Sequence, residues 1–180
     1  QLWVNQCKND KKSIIFITFG SYTSNAIKRN PNLLKNIHDA CKENNCKALF
    51  HDDNTKCAFA KGFRSNYIKF WKKFIPYPAI VKQSNVVLFS GSLCLQNVCW
   101  LYGCPMLIMP LHTEQYLWAK LYKKYTNIDY IDQKNPPLNF NKHVYNALLV
   151  NKNKIKKMKS KILKNNKTIA KKITSIISKN

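Results

Sequence analysis

The chain has 180 residues, with 31 Lys+Arg against 8 Asp+Glu and a formal net charge of +23. Hydrophobic residues make up 45%, enough for a packed core, which excludes wholesale disorder. No apolar run nears the roughly 18–20 residues of a membrane span, and the seven cysteines include no CxxC pair, which argues against a zinc site or a disulfide framework.

The opening, QLWVNQCKNDKK, is polar and lacks the apolar centre of a signal peptide; it also lacks an initiator Met, so a fragment or processed piece is expected. Ser13 to Phe19 (SIIFITF) reads as a buried strand ended by a Gly20-Ser21 turn. From Pro31 to Asn44 the residues Leu33, Leu34, Ile37, Ala40 and Cys41 recur at helical spacing, with Asn30 and Pro31 as N-cap and first-turn residue. Lys47 to Phe50 reads as a second strand. A strand is one reading of Cys57 to Ala60, and another strand is expected over Tyr67 to Ile75. Pro76 and Pro78 stop it, and Ala79 to Lys82 fits one helical turn.

Asn85 to Phe89 is a β-branched strand followed by Ser90-Gly91-Ser92. Leu93 to Tyr102 reads as a helix stopped by Gly103 and Pro105. Met106 to Met109 is a strand, Glu114 to Lys124 a helix, Asn127 to Ile131 a last strand, and Pro136-Pro137 a break. Phe140 to Val150 reads as a helix. Strands that are apolar throughout and alternate with helices predict a doubly wound parallel α/β sheet, Rossmann-like, over about 12–132. The expected organisation is one α/β domain over 1–150 and an appended segment over 151–180.

No acidic residue follows Asp132, and residues 151–180 carry 11 Lys. Ile155, Met158, Ile162, Ile169, Ile173 and Ile176 fall near one face of a helix. A helix packing this stripe on the domain is the expectation; contact with an anionic membrane is the alternative.

All basic residues except Arg29 and Arg64 are Lys. Base-reading proteins exploit the bidentate fork of Arg. A Lys/Asn/Ile-rich chain is also what AT-rich coding produces, so no specific nucleic-acid partner is expected. The field still attracts anions. Cys94, Cys99 and Cys104 lie in apolar surroundings and are expected to be small buried hydrophobes. Reduced thiols fit a cytoplasmic location.

In open α/β sheets ligands sit at the carboxyl ends of strands. Two such ends carry small polar turns here, Gly20-Ser21 and Ser90-Gly91-Ser92, the second opening a helix whose free N–H groups attract phosphate. Neither is a GxGxxG or Walker loop. Glu114 and Gln115 follow another strand; a carboxylate beside an amide can chelate neighbouring sugar hydroxyls, and a charge at a helix start is the plainer reading. Phe74 and Tyr77 offer flat rings for a base or for ordinary packing.

In order, these pieces resemble the C-terminal, nucleotide-sugar-binding half of GT-B glycosyltransferases of the UDP-glycosyltransferase family. SIIFITFGS is similar to that family's opening strand and Gly-Ser turn, and FIPYPAIV to its Trp-Val-Pro-Gln segment. NVVLFSGSLCLQNVCWLYGCPMLIMPLHTEQ is similar to its signature of strand, His-Gly-Gly turn, helix, Gly-Val-Pro, strand, Pro and Asp-Gln. The resemblance implies a UDP-sugar donor and no cofactor. Gly20 and Ser21 would form the first phosphate-side turn, and Ser90, Gly91 and Ser92 the second. Phe74 stands for the Trp that stacks on uracil, Tyr77 for the Gln after Pro, and Glu114 with Gln115 for the pair on the sugar hydroxyls. Departures are Ser90 for the diphosphate His, Ser92 for Gly, Leu95 for Ser or Thr, and Val98 for the ribose Glu. The implied reaction is metal-free hexosyl transfer with inversion. Its general base belongs to an N-terminal acceptor half, so no catalytic residue is assigned here. That half is expected in the same longer protein or in a partner chain. A degenerate binding or scaffold module without turnover, and a polyanion- or membrane-binding basic protein, are the alternatives.

Overall fold

The computed structural model describes residues 2–52, 63–133, 139–150, 155 and 160. Five strands form one parallel sheet: β1 (Ser13–Thr18), β2 (Cys46–His51), β3 (Ile68–Trp71), β4 (Val86–Phe89) and β5 (Met106–Ile108), in the order β3-β2-β1-β4-β5. The helices are α1 (Leu2–Asn9), α2 (Thr23–Arg29), α3 (Leu33–Glu43), α4 (Tyr77–Val81), α5 (Leu93–Tyr102), α6 (Thr113–Thr126) and α7 (Phe140–Leu148). The doubly wound α/β expectation holds.

β1 is central and apolar on both faces because helices cover both. On one face Ile15, Ile17, Val86, Leu88 and Leu107 meet Ile37 and Cys41 of α3 and Phe140 and Val144 of α7. The void among them is about 10 Å³, no more than one water's worth, so this layer is dry and close-packed. On the other face Phe16 meets the ring of Tyr77 in α4, with centroids 6.0 Å apart. Tyr122 of α6 accepts a hydrogen bond from the Met106 N–H of β5 at 2.9 Å and packs edge-on to Trp100 of α5. Each fully buried Ile, Leu or Phe contributes about 1.5–3 kcal/mol.

α5 runs over the residues expected. It stops because Gly103 takes the left-handed conformation, φ 64°, and donates to the Cys99 and Trp100 carbonyls.

Several boundaries differ from the sequence reading. Asn30 closes α2 by donating to Ala26 and Ile27, so α3 starts later, after an Asn32 cap. β3 is shorter than Tyr67 to Ile75. Residues 127–131 form no strand: Asn127 is left-handed at φ 61°, Asp129 bonds its neighbour's N–H, and Ile131 alone donates to β5, at Ile108 O. Helices α1 and α2 were not anticipated. Cys99 and Cys104 are buried as expected, but Cys94 is exposed, because it sits in the first turn of α5 on the outward side. Cys57 to Ala60, Pro136-Pro137 and nearly all of 151–180 lie outside the described residues; Ile155 is helical and fully buried. Among the described residues no helix is long and apolar enough to cross a membrane.

Candidate functional site: a crevice above the central strands

The strand order reverses beside β1. From β1 the chain steps outward to β2 and β3, then returns to pair β4 on the other side of β1 and continues to β5. Crossovers therefore leave the carboxyl ends of β1 and β4 in opposite directions, which opens a crevice there. Thr18 and Phe89 are register partners, so the turn after each strand starts at the same height.

Both sequence-predicted turns stand at this crevice. Gly20 has φ 53°, and its carbonyl accepts from the Thr23 hydroxyl at 2.8 Å while its N–H donates to Thr18 Oγ1 at 3.3 Å. Ser21 beside it is exposed. Gly91 has φ 101°, and its carbonyl accepts from Gln96 Nε2 at 2.8 Å. A Cβ on Gly91 would lie 3.0 Å from Ile108 Cγ2 and 3.4 Å from Gln115 Cβ, so only glycine lets the turn settle onto β5 and α6. Ser90 is buried under the turn and Ser92 is exposed.

Ser92 caps α5 without a side-chain hydrogen bond, and the first turn of α5 has no carboxylate. Among the described residues no side chain claims the amides there, which carry the positive end of the helix dipole into the crevice. Leu95, one turn in, is buried and offers no hydroxyl.

The loop after β5 forms the neighbouring wall. Glu114 lies exposed in the first turn of α6. Gln115 is buried, and its Oε1 accepts the Leu111 N–H at 2.8 Å, bracing the loop from within. The Arg29 guanidinium donates to the Leu111 carbonyl at 2.7 Å, and the Tyr22 and His112 rings lie 5.5 Å apart. These two contacts tie the loop after β1 to the loop after β5. Sequence reasoning missed both, since no motif pairs those residues.

Phe74 lies between β3 and α4 and is 84% exposed, while Tyr77 is half-buried against Phe16. His51, at the carboxyl end of β2, bonds the Lys73 carbonyl through Nε2 at 3.1 Å and so anchors the residue before Phe74. The sequence-predicted residues thus form three groups: the two turns at the switch point, the Glu114-Gln115 wall, and the Phe74-Tyr77 segment.

Neighbouring phenols are kept protonated. Burial, then a 2.9 Å hydrogen bond to Asp132, pushes Tyr116 up to about 12. Burial likewise raises Tyr122 and the Cys99 thiol, which leaves Cys99 inert as a nucleophile.

No family model and no curated protein matches the chain. Solved structures do. The glycosyltransferase of kitacinnamycin matches at TM-score 0.69 and 13% identity, over 83% of this chain and 38% of that one. Glycosyltransferase VinC, in complex with dTDP, matches at TM-score 0.68 and 12% identity, over 90% and 39%. LpCGTa, in complex with UDP, matches at TM-score 0.63 and 14% identity, over 89% and 39%. This chain spans about two-fifths of the length of these neighbours. Its fold is the Rossmann-like α/β fold found within GT-B glycosyltransferases.

Proposed function

We propose that the chain is the donor-binding half of a UDP-sugar-dependent glycosyltransferase. The observation that carries this reading is the pairing of two glycine turns at the β1/β4 switch point, one of them opening a helix whose N-cap residue makes no side-chain hydrogen bond to it. The α5 amides and the Gly20-Ser21 turn hold the diphosphate, by hydrogen bonds and the helix dipole. Phe74 stacks on the uracil, and the Tyr77 hydroxyl reaches the base edge. Glu114 accepts hydrogen bonds from two neighbouring sugar hydroxyls, while Gln115 contributes its Nε2 donor and stiffens the loop through Oε1.

The reaction is hexosyl transfer to an acceptor hydroxyl with inversion and without a metal. A base on an acceptor-binding half, in the same longer protein or a partner chain, takes the hydroxyl proton. The acceptor oxygen then bonds the anomeric carbon as the bond to the UDP oxygen breaks. This chain's residues orient the donor and stabilise the leaving diphosphate.

A second reading, a degenerate glycosyltransferase-like binding or scaffold module without turnover, draws on Ser90, Ser92, Leu95 and Val98, where the resembled family has a diphosphate His, a Gly, a Ser or Thr and a ribose Glu. Each lost polar partner costs about 1–3 kcal/mol, so together they weaken donor binding by orders of magnitude.

Calorimetric titration with UDP, UDP-glucose and ATP at near-physiological salt separates the two. Saturable binding selective for uridine, weakened for UDP-glucose but not UDP by Glu114→Ala, supports the donor half. Equal, salt-sensitive binding of all three, indifferent to Glu114, overturns it in favour of the second reading.

A further inference from the structure

At the opposite end of the sheet, below the amino ends of β1 and β4, lies a second concavity of about 390 Å³. Lys8, Lys11, Lys12 and Lys82 line it, together with Ser13 and Asn85. The four ammonium groups arrive from separate places: the end of α1, the turn after it, and the turn between α4 and β4. Among the described residues no carboxylate lines the groove. Asp10, between Lys8 and Lys11 in sequence, is not in that lining and lies 3.8 Å from the Lys47 ammonium. Lys8 and Lys12 instead donate to the side-chain oxygens of Gln83 and Asn45, which position the ammonium groups without neutralising them.

The groove is built rather than incidental. Lys11 holds the left-handed conformation, φ 53°, where glycine is the usual residue. The turn is locked by Lys11 N–H to Lys8 O at 3.0 Å and Lys12 N–H to Cys7 O at 2.8 Å. The opposite wall is fixed by Ile14 N–H donating to Asn85 Oδ1, and Asn85 N–H to Ile14 O, both at 2.8 Å. Four lysines of like charge, and so mutually repelling, thus line one recess of about 390 Å³. A compact group with several negative charges and many acceptor oxygens relieves that repulsion and uses the lysine, serine and asparagine donors together.

We infer that this groove is a binding site for a multiply phosphorylated group, separate from the crevice at the carboxyl ends of the strands. Such a group comes from a soluble polyphosphate or from a phosphorylated lipid headgroup. The test uses the whole chain with inositol hexakisphosphate by calorimetry, and with phosphatidylcholine vesicles with and without phosphatidylinositol 4,5-bisphosphate by sedimentation. Two double variants are compared: Lys12→Gln/Lys82→Gln in the groove, and Lys28→Gln/Lys120→Gln on exposed faces of α2 and α6. Both remove the same charge. The groove pair is expected to weaken binding at least roughly tenfold in 0.15 M salt, where fields beyond about 8 Å are screened, and the distant pair less than about twofold. The tighter arm identifies the source. Equal loss from the two pairs, or no binding of either probe, overturns the site. Thermal unfolding of each variant separates loss of binding from loss of fold.

Discussion

Replacing Gly91 with alanine tests the local geometry of the crevice. Two costs add. At φ 101° an L-residue is strained by about 1–3 kcal/mol. The new methyl would also lie 3.0 Å from Ile108 Cγ2. Ile108 is fixed in β5 and stiff about its first side-chain torsion, so it yields little, and such overpacking costs about 1–3 kcal/mol. The total is about 2–6 kcal/mol. Gly20→Ala is the internal control, because φ there is 53° and nothing lies within 4 Å of the added Cβ. Its cost is the left-handed strain alone, about 1–2 kcal/mol. The gain from a stiffer unfolded chain is common to both and cancels in the difference. For a chain of this size 1 kcal/mol moves Tm by about 2–4 °C, so Gly91→Ala should lose roughly 4–24 °C and Gly20→Ala roughly 2–8 °C. The assay is thermal unfolding followed by circular dichroism, with urea midpoints as a check. A Gly91→Ala protein no less stable than Gly20→Ala would refute the packing of the turn onto Ile108.

Other perturbations give separable readouts. Tyr122→Phe leaves the buried Met106 N–H without its acceptor and should cost about 1–3 kcal/mol in urea unfolding. Phe74→Ala should change stability by less than about 0.5 kcal/mol, since the ring is exposed, yet weaken UDP binding by about 1–3 kcal/mol if it stacks on the base. Burial first of all, opposed by Asp129 and aided by Lys123 and Lys142, holds His143 below its ordinary 6.5. The unfolded chain therefore binds the proton more readily. Stability is full above pH 6.5 and falls as pH drops through the lowered folded value. Urea midpoints between pH 7.5 and 5 should fall for the parent chain and fall less steeply for His143→Gln.

Much of this fold is legible in the sequence where one residue type has only one structural use. Gly103 stops α5 where expected because the left-handed cap requires it. The strands read clearly because burial on two faces leaves no polar positions to confuse the period. Residues 127–131 misled for the same reason: Ile128 and Ile131 are apolar because they are buried, not because they pair in a ladder. Helix α2 was illegible because TSNAIKR is only seven residues, too short to show a periodic face. At the site the turns could be read, since small residues after strands have a recognisable purpose. Their fastening could not. Arg29 reaches the Leu111 carbonyl across 82 residues of sequence, and any backbone oxygen would have served equally well on paper. Gln115 reads in sequence as a ligand-facing amide, but its side-chain oxygen is engaged inside the loop by the Leu111 N–H.

The parallel pairing of β1 with β4 also dictates when the crevice comes into being. The contact between Ile14 and Asn85 that seats these strands joins residues 71 apart. Because β1 lies at the centre, its first partner in sequence, β2, covers only one edge. The other edge, which bears the crevice, stays unsatisfied until β4 has been made and has crossed back. Long-range closure of this kind is slow compared with helix formation, and it leaves a hydrophobic strand edge open in the meantime. During synthesis the growing chain therefore carries a bare central edge while everything up to α4 emerges. Premature termination between Trp71 and Val86 is expected to leave β1, β2 and β3 as a half-sheet with an open edge and without the cleft between β1 and β4.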